Sequence, residues 1–193
     1  MNSNKLAFIG GSGIYKLDIL NEVIEHDIVS SFGKPSSKIL EGKVNGNSIF
    51  FLSRHGVGHR LSPSEINYRA NIECLKQLGV TDIISLSAVG SLKEDLDPGT
   101  FVIVDQFIDR TISRKKTFFE NGIVAHVPMA EPTNNILMNI SKDILEILNI
   151  KYSFGGTYLA MEGPQFSSKA ESLMYRSWNC DVIGMTNMPE AKL

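Results

Sequence analysis

Short apolar segments alternate along this chain with segments of helical periodicity, and this alternation constrains the fold more than any other feature. Strand-like segments run from Leu6 to Ile9, from Ser48 to Leu52 and from Val80 to Ser87, and each leads into small or polar residues. Such alternation is typical of domains in which helices flank a mostly parallel sheet. We therefore predict an α/β fold with a mixed, mostly parallel twisted sheet flanked by helices.

Three helices are predicted between the strands. Ser62-Pro63-Ser64-Glu65 has the pattern of a capping box with proline at the first helical position, and Gly79 ends the hydrophobic repeat that follows it. A second helix runs from about Asn134 to Leu148. A third begins near Ser168 and is expected to point Leu173 and Met174 inward. The residues expected on one face of the second helix are Ile136, Ile140, Ile144 and Leu148.

The remaining strands are predicted at Phe101 to Ile108, Tyr158 to Met161 and Asp181 to Ile183. Asn45-Gly46 predicts a tight turn between Ile39 to Val44 and the strand that begins at Ser48. Because no internal repeat, low-complexity tract or linker interrupts the pattern, we predict a single domain over residues 1–193.

Composition excludes several classes of protein. A net charge of −2 without long runs of one sign argues against a general nucleic-acid binder. No segment is apolar over enough residues to span a bilayer, and Met1-Asn2-Ser3-Asn4-Lys5 does not begin like a signal peptide. Cys74 and Cys180 have neither metal-like spacing nor partners for a disulfide framework. We expect a cytoplasmic protein that holds no metal.

Polar clusters follow five of the predicted strands. In open α/β sheets, ligands bind in the crevice beyond the carboxyl ends of the strands. Five clusters at five strand ends therefore indicate a binding site more strongly than any one of them does. The clusters are Ser12, Arg54-His55, Ser87-Ala88, Glu162 to Phe166, and Met185-Thr186.

Arg54 and His55 are the most specific of these residues. The planar guanidinium of arginine suits two phosphate oxygens, and a neighbouring histidine can donate a further hydrogen bond. The alternative is an arginine in a surface ion pair beside a histidine satisfied in the core. Gly56 and Gly58 favour the anion site, because glycine permits a close approach of the backbone.

Gly10-Gly11-Ser12-Gly13 resembles the start of a dinucleotide motif, but Lys16 stands where that motif needs glycine. This disfavours a Rossmann-type dehydrogenase. The segment is interpreted as a tight turn whose amides and Ser12 hydroxyl face an anion, or as a plain turn. Ser87-Ala88 similarly leaves room for a ligand oxygen or simply ends a strand.

The other candidates each have a structural alternative. Thr186 can offer a hydroxyl to the anion, Met185 can pack on a sugar, and Phe166 can stack on a flat ring. Buried methionine and phenylalanine, however, more often fill a core. His126 lies in the irregular region from Thr111 to Val127, where a lone histidine is more often structural.

Taken together, segments in order along the whole chain resemble the methylthioadenosine phosphorylase branch of the trimeric purine nucleoside phosphorylases. The matching segments are Ile9-Gly10-Gly11-Ser12-Gly13, Ser53-Arg54-His55-Gly56, Pro63-Ser64-Glu65-Ile66-Asn67-Tyr68-Arg69-Ala70-Asn71, Ala88-Val89-Gly90-Ser91-Leu92, Asp105-Gln106-Phe107-Ile108-Asp109-Arg110-Thr111, His126-Val127-Pro128-Met129-Ala130-Glu131-Pro132, Glu162-Gly163-Pro164-Gln165-Phe166-Ser167-Ser168, and Met185-Thr186-Asn187-Met188-Pro189-Glu190.

The resemblance implies a phosphorylase/hydrolase-like fold and a pentosyltransferase of purine and methionine salvage. Phosphate, as co-substrate, would cleave 5′-methylthioadenosine to adenine and 5-methylthioribose 1-phosphate. It further implies a homotrimer without metal or organic cofactor. Met185 would lie against the ribose, Phe166 against the purine, and His126 would reach the neighbouring subunit's site. The residues that the resemblance assigns to phosphate are Ser12, Arg54, His55, Ser87, Ala88 and Thr186.

The sequence departs from the resembled family in two ways. The family's base-contacting aspartates lie beyond the segment that ends at Glu190, so we expect them beyond Leu193, in a C-terminal third that the chain lacks. Gln165 stands where arginine is common. Ser167 after Phe166 favours adenine-type substrates. The alternatives are a 6-oxopurine nucleoside phosphorylase and a non-catalytic remnant that binds phosphate or nucleoside.

Overall fold

The computed structural model describes residues 4–15 and 17–193. Lys16, which argued against a dinucleotide motif, and the first three residues of the N-terminal segment lie outside the described residues. The chain divides into two compact units. One ends at Ala88 and includes Leu193, and the other spans Val89–Lys192. The single domain expected from the sequence stays a prediction.

The first unit is built on a five-stranded sheet in the order β2-β3-β4-β1-β5. β4, β1 and β5 are parallel, whereas β2 and β3 form antiparallel pairs at one edge. The core lies between this sheet and the helix α1, where Ile9, Phe50 and Leu75 are almost completely buried. The strands are β1 (Leu6–Gly10), β2 (Asn21–His26), β3 (Ile39–Val44), β4 (Asn47–Ser53) and β5 (Asp82–Leu86), and the helix is α1 (Tyr68–Gln77).

The predicted turn between β3 and β4 is confirmed. Asn45 and Gly46 adopt φ values of +48° and +80°. Two consecutive positive φ values are typical of the type I′ turn, whose twist matches that of the flanking strands. The asparagine and the glycine therefore determine the hairpin locally.

The predicted start of α1 is wrong by several residues. The helix begins after Asn67, whose side chain accepts a hydrogen bond from a backbone amide of the first turn. Ser62 and Glu65 do pair, since the Ser62 amide donates to the Glu65 carboxylate at 2.8 Å, but the pair closes a separate turn ahead of the helix. Gly79, with φ of +81°, follows the helix as predicted.

The second unit contains a four-stranded sheet in the order β6-β11-β10-β8 and a two-stranded sheet of β7 and β9. β8, β10 and β11 are parallel, and β6 is antiparallel to β11. The elements are β6 (Gly90–Ser91), β7 (Phe101–Ile103), β8 (Gln106–Asp109), α2 (Asn135–Ile147), β9 (Tyr152–Phe154), β10 (Thr157–Ala160), α3 (Lys169–Ser177), β11 (Val182–Gly184) and α4 (Asn187–Glu190).

The single strand predicted from Phe101 to Ile108 is two strands in different sheets. β7 pairs with β9, and β8 pairs with β10. At the break between them, the carboxylate of Asp105 accepts a hydrogen bond from the Gly156 amide at 3.0 Å. An aspartate that captures a backbone donor competes with the regular ladder, which explains the division.

The apolar faces predicted for α2 and α3 are not the faces that the structure buries. α3 buries Tyr175, whereas Leu173, predicted to point inward, is 54% exposed; Met174 is also exposed. The isoleucines of α2 are exposed as well, and this helix buries Met138 and Leu145 instead. Periodicity identifies a stripe of apolar residues, but the neighbouring elements decide which stripe is covered.

The architecture confirms the α/β class with mixed sheets flanked by helices. None of the helices among the described residues is long and apolar enough to cross a membrane. Within residues 4–15 and 17–193, no three histidine, cysteine, aspartate or glutamate side chains cluster so as to hold a metal ion.

Candidate functional site

Three strands of the first unit end at the same level of the sheet. Gly10 at the end of β1 pairs with Ser53 of β4 on one side and with Leu86 of β5 on the other. Because all three strands are parallel, the residues that follow them emerge at one carboxyl edge. The structure therefore brings three of the five predicted polar clusters together, those of Ser12, Arg54-His55 and Ser87-Ala88.

Arg54 is completely buried at this edge. Its Nη1 donates to the carbonyl of Leu86 at 2.9 Å, and its Nη2 donates to the hydroxyl of Ser85 at 2.7 Å. The Arg54 amide also donates to the carbonyl of Gly10 at 2.9 Å. The surface ion pair considered as an alternative is therefore wrong. The guanidinium is buried at the sheet edge and connects the end of β4 with the end of β5, two strands that β1 separates in the sheet.

Gly11 makes room for this guanidinium. A β-carbon at Gly11 would lie 2.6 Å from Nη1 of Arg54 and 2.8 Å from the carbonyl oxygen of Leu86. The Gly11 amide meanwhile donates to that same carbonyl at 3.0 Å. The guanidinium of Arg54 therefore packs against Gly11, a contact that was not predicted from the sequence.

His55 is buried beside Arg54 and is held in one orientation. Its Nδ1 lies 2.8 Å from the carbonyl oxygen of Leu61. Since a carbonyl only accepts, Nδ1 donates the hydrogen in this contact, which fixes the orientation of the ring. The exposed ring of His59 stacks on His55 with centroids 4.1 Å apart, and the Tyr15 hydroxyl lies 3.3 Å from Nδ1 of His59.

Small residues complete the edge. Ser12 is exposed in a tight turn closed by a hydrogen bond from the Ile14 amide to the Gly11 carbonyl at 3.0 Å. The predicted turn is therefore confirmed, while its role toward an anion stays a prediction. Ser87 is half-buried and Ala88 is exposed. The first unit thus presents hydroxyl groups and small side chains around the buried arginine and histidine.

In the second unit, two parallel strands again end side by side. Ala160 of β10 pairs with Gly184 of β11, and the loops of the remaining two polar clusters follow. Met185 packs on Gly163, where a β-carbon would lie 2.6 Å from the Met185 sulfur. Thr186 is 6% exposed and precedes the short helix α4.

Phe166 and His126 lie on the surface of the second unit. Phe166 is 88% exposed, so the core-packing alternative for this ring is wrong. His126 is exposed within an exposed segment from residue 121 to residue 128. Contacts within the chain explain neither side chain. The roles implied by the resemblance, which are purine contact for Phe166 and contact with the neighbouring subunit for His126, stay predictions.

Arg114 is a buried residue of the second unit that was not among the predicted site residues. This arginine is 8% exposed, and its guanidinium donates to the backbone carbonyls of Glu162, Met185 and Met188. It belongs to the irregular region from Thr111 to Val127. The available signal was its position three residues after the matched segment that ends at Thr111.

A second charged cluster surrounds Asp109 at the end of β8. Burial opposes the charged form of this carboxyl, but hydrogen bonds from Lys192, Thr111 and Lys116 outweigh burial and hold the pKa of Asp109 well below its usual range. The Thr111 hydroxyl donates at 2.6 Å, and Nζ of Lys116 lies 3.0 Å from the carboxylate. Asp109 is therefore an anchoring anion and not a proton donor near neutral pH.

Comparison with known proteins agrees with this architecture. The family model described as "Phosphorylase superfamily" matches residues 5–193. S-methyl-5′-thioadenosine phosphorylase of Rhodospirillum rubrum is 58% identical over 188 residues, which cover 97% of this chain and 64% of the relative. The enzyme of the same name from Bradyrhizobium diazoefficiens is 55% identical over 193 residues, covering 100% of this chain and 66% of the relative.

A solved structure matches equally well. Methylthioadenosine phosphorylase from Schistosoma mansoni in complex with tubercidin superposes with a TM-score of 0.96 at 35% identity, covering 99% of this chain and 76% of that one. The fold is that of an α/β protein with polar clusters after its parallel strands and a buried arginine at one sheet edge. The chain belongs to the phosphorylase superfamily. It spans about two thirds of the length of these curated relatives.

Proposed function

We propose that this chain provides the phosphate-binding part of an enzyme that cleaves 5′-methylthioadenosine by phosphorolysis. A phosphate oxygen forms a bond to the anomeric carbon while the bond from that carbon to the base nitrogen breaks. The base leaves with the bonding electrons and takes up a proton, so that the products are adenine and 5-methylthioribose 1-phosphate. The relatives that carry this activity in their names are 58% and 55% identical.

The observation that carries the proposal is Arg54 at the aligned ends of three parallel strands. Its charge is permanent, and it is buried between carbonyl and hydroxyl acceptors that hold the guanidinium rigidly. A fixed positive charge at a water-poor sheet edge attracts a dianion without reorganising. In this proposal Ser12, His55, Ser87 and Ala88 complete the phosphate contacts, because they follow the same three strands.

The chemistry needs an ordered phosphate more than it needs a strong nucleophile. As the base departs, positive charge develops on the sugar, and a phosphate held against it both stabilises that charge and attacks. In this proposal His55, fixed through Nδ1 by the Leu61 carbonyl, presents Nε2 to a phosphate oxygen. None of these roles is that of the acid for the departing base.

The roles proposed for the second unit rest on the resemblance and on exposure. Thr186 contributes a hydroxyl to phosphate, Met185 contacts the ribose and Phe166 stacks on the purine. The high exposure of Phe166 supports a ligand role, because an aromatic ring of this size is otherwise covered. Ser167 after Phe166 favours a 6-amino purine. His126, exposed as well, contacts the neighbouring subunit of a homotrimer.

The proposed enzyme works in the cytoplasm and needs no metal or organic cofactor, with inorganic phosphate as its co-substrate. The charge that a metal would otherwise neutralise on phosphate is met in this proposal by Arg54 and by backbone amides near Ser12.

Adenine release tests the proposed reaction. A protein that carries this chain and is extended to the full length of its relatives is incubated with phosphate and 5′-methylthioadenosine, and with phosphate and inosine in parallel. Release of adenine in the first mixture only is expected. Turnover of inosine alone would replace the proposal with a 6-oxopurine phosphorylase. Phosphate binding by calorimetry without release of either base would identify a non-catalytic binding protein.

Substitution of Arg54 tests the anion site. Arg54→Ala, which removes the charge, and Arg54→Lys, which keeps a charge but loses the planar two-pronged donor, are both expected to weaken phosphate binding by about tenfold or more. Arg176→Ala is the matched control, since Arg176 is exposed on α3 and pairs only distantly with Glu94, at 3.4 Å. Unchanged phosphate affinity in folded Arg54→Lys would show that the anion site is assigned wrongly.

A further inference from the structure

Two loops of the second unit leave the sheet from neighbouring strands. β10 and β11 are parallel, and the Met161 amide still donates to the Gly184 carbonyl at 2.9 Å just beyond the last paired residues. From there the backbone diverges into the Glu162 loop, residues 162–166, and the Met185 loop, a name used here for residues 185–190 including the short helix α4. No strand pairing holds the two loops in relation to each other, so another group has to do so.

Arg114 supplies that connection. Its Nη2 donates to the carbonyl of Glu162 at 2.6 Å, and its Nη1 donates to the carbonyl of Met188 at 2.6 Å and to that of Met185. One guanidinium thus contacts both loops, and it reaches the second loop at two places. A planar fork with five donors can bridge three carbonyls in this way, whereas the compact ammonium of lysine cannot match the geometry.

The side chain of Glu162 also binds the segment that carries Arg114. Its carboxylate accepts hydrogen bonds from the Ile112 amide at 2.6 Å and from the Ser113 hydroxyl. Residues 112–114 therefore donate to both the side chain and the backbone of Glu162. The segment that carries Arg114 is fixed to the Glu162 loop by at least three hydrogen bonds, which positions the guanidinium for its contacts with the Met185 loop.

The two loops also meet through Met185 and Gly163. Gly163 has φ of +71°, and a β-carbon there would lie 2.6 Å from the Met185 sulfur. The Met185 side chain therefore rests directly on the Glu162 loop. Because the contact is closely packed, a small shift of either loop moves the Met185 side chain.

We propose that Arg114 is a positioning residue for nucleoside binding: through three backbone carbonyls it holds the Glu162 loop and the Met185 loop in the arrangement that presents Met185 and Phe166 to the nucleoside. This inference rests on the proposed function, because that proposal assigns Met185 to the ribose and Phe166 to the purine. It adds a residue that contacts no substrate itself and acts entirely within the second unit.

Hydrogen exchange tests the positioning independently of activity. Arg114→Met and Arg114→Lys are compared with the wild-type chain and with Arg176→Met, which removes an exposed arginine of the same unit. Amide exchange in residues 162–166 and 185–190 is expected to rise at least tenfold in Arg114→Met, less in Arg114→Lys, and not at all in Arg176→Met. Unchanged exchange in both loops would overturn the inference, whatever the activity.

Kinetics and binding test the consequence for the substrate. We expect the KM for 5′-methylthioadenosine, or its Kd by calorimetry without phosphate, to rise at least tenfold in Arg114→Lys. The KM for phosphate should rise less than the KM for the nucleoside, because Thr186 is the only proposed phosphate contact that lies in the Met185 loop. Equal losses for both substrates would indicate a general loss of folding and overturn the positioning role, as would an unchanged affinity for the nucleoside.

The two proposals fail in distinguishable ways. A wild-type protein of the relatives' full length that neither binds nor cleaves 5′-methylthioadenosine would contradict the proposed function, and with it the substrate role given to Arg114, even if exchange in the loops rises. A wild-type chain that cleaves the nucleoside, together with an Arg114→Lys variant of unchanged KM, would contradict the inference about Arg114 alone.

Discussion

A β-carbon on Gly11 would lie 2.6 Å from Nη1 of Arg54, so the guanidinium occupies the space that a side chain at position 11 would need. The two residues are 43 positions apart in sequence, yet neither can be understood without the other. Gly11 adopts no positive φ, so its lack of a side chain serves packing and not backbone conformation.

Gly11→Ala should therefore act through Arg54. The added methyl group forces the guanidinium or β5 to move, and overpacking of this kind costs about 1–3 kcal/mol of stability. We expect a lower free energy of unfolding in urea and phosphate binding weakened about tenfold or more. Gly46→Ala, in the exposed β3–β4 turn with open space around it, serves as the control and should leave phosphate affinity unchanged. Normal phosphate binding by Gly11→Ala would contradict the coupling.

Ser85 is expected to hold Arg54 in place. Its hydroxyl accepts from Nη2 of Arg54 at 2.7 Å, and hydrogen bonds to charged groups contribute about 1.5–3 kcal/mol. Ser85→Ala should lower stability by up to that amount and weaken phosphate binding severalfold in calorimetric titration. Ser85→Thr keeps the hydroxyl and suits a strand, so it should retain most of the stability and most of the phosphate affinity. Equal stability and equal phosphate affinity of the two variants would show that the Ser85 hydroxyl does not hold Arg54 in place.

The Asp109 cluster predicts a specific dependence of stability on pH. The pKa of Asp109 is depressed in the folded chain, so its contribution is fully present above the unfolded pKa of about 4 and is lost as the pH falls below it. In urea unfolding, the stability difference between wild type and Asp109→Asn should be largest at pH 5 and above and should shrink below pH 4.

Asp97→Asn is the control for this experiment. Asp97 pairs with Lys151 at 2.6 Å, but both side chains are more than half exposed, and exposed pairs contribute little. We expect almost no change in stability at any pH. A difference between wild type and Asp109→Asn that does not vary with pH would show that the loss comes from packing and not from the carboxylate's charge.

The two sides of α2 should respond differently to substitution. Ile136 is 71% exposed, so Ile136→Gln should change stability by no more than about 0.5 kcal/mol. Leu145 is buried, and Leu145→Ala should cost about 2–5 kcal/mol. Chemical denaturation of both variants measures the contrast. A large loss in Ile136→Gln would mean that another surface covers this face in solution.

Much of the fold follows from local patterns. The Asn45-Gly46 turn, the glycine after α1 and the start of α3 at Ser168 all form where the sequence predicts them, because each depends on only a few neighbouring residues. The start of α1 was wrong because two competing caps lie close together. The division between β7 and β8 was missed because the captured donor belongs to Gly156, far along the chain.

The sequence by itself determined the α/β class and the positions of the polar clusters, since periodicity and strand-end residues are local properties. It also carried the resemblance on which the substrate roles rest. The tertiary structure alone decided that Arg54 is buried against Gly11 and Ser85, and that Arg114 joins two loops. Such relations depend on which strands pair and in which register, and no single segment encodes a contact between residues that distant backbone pairing brings together.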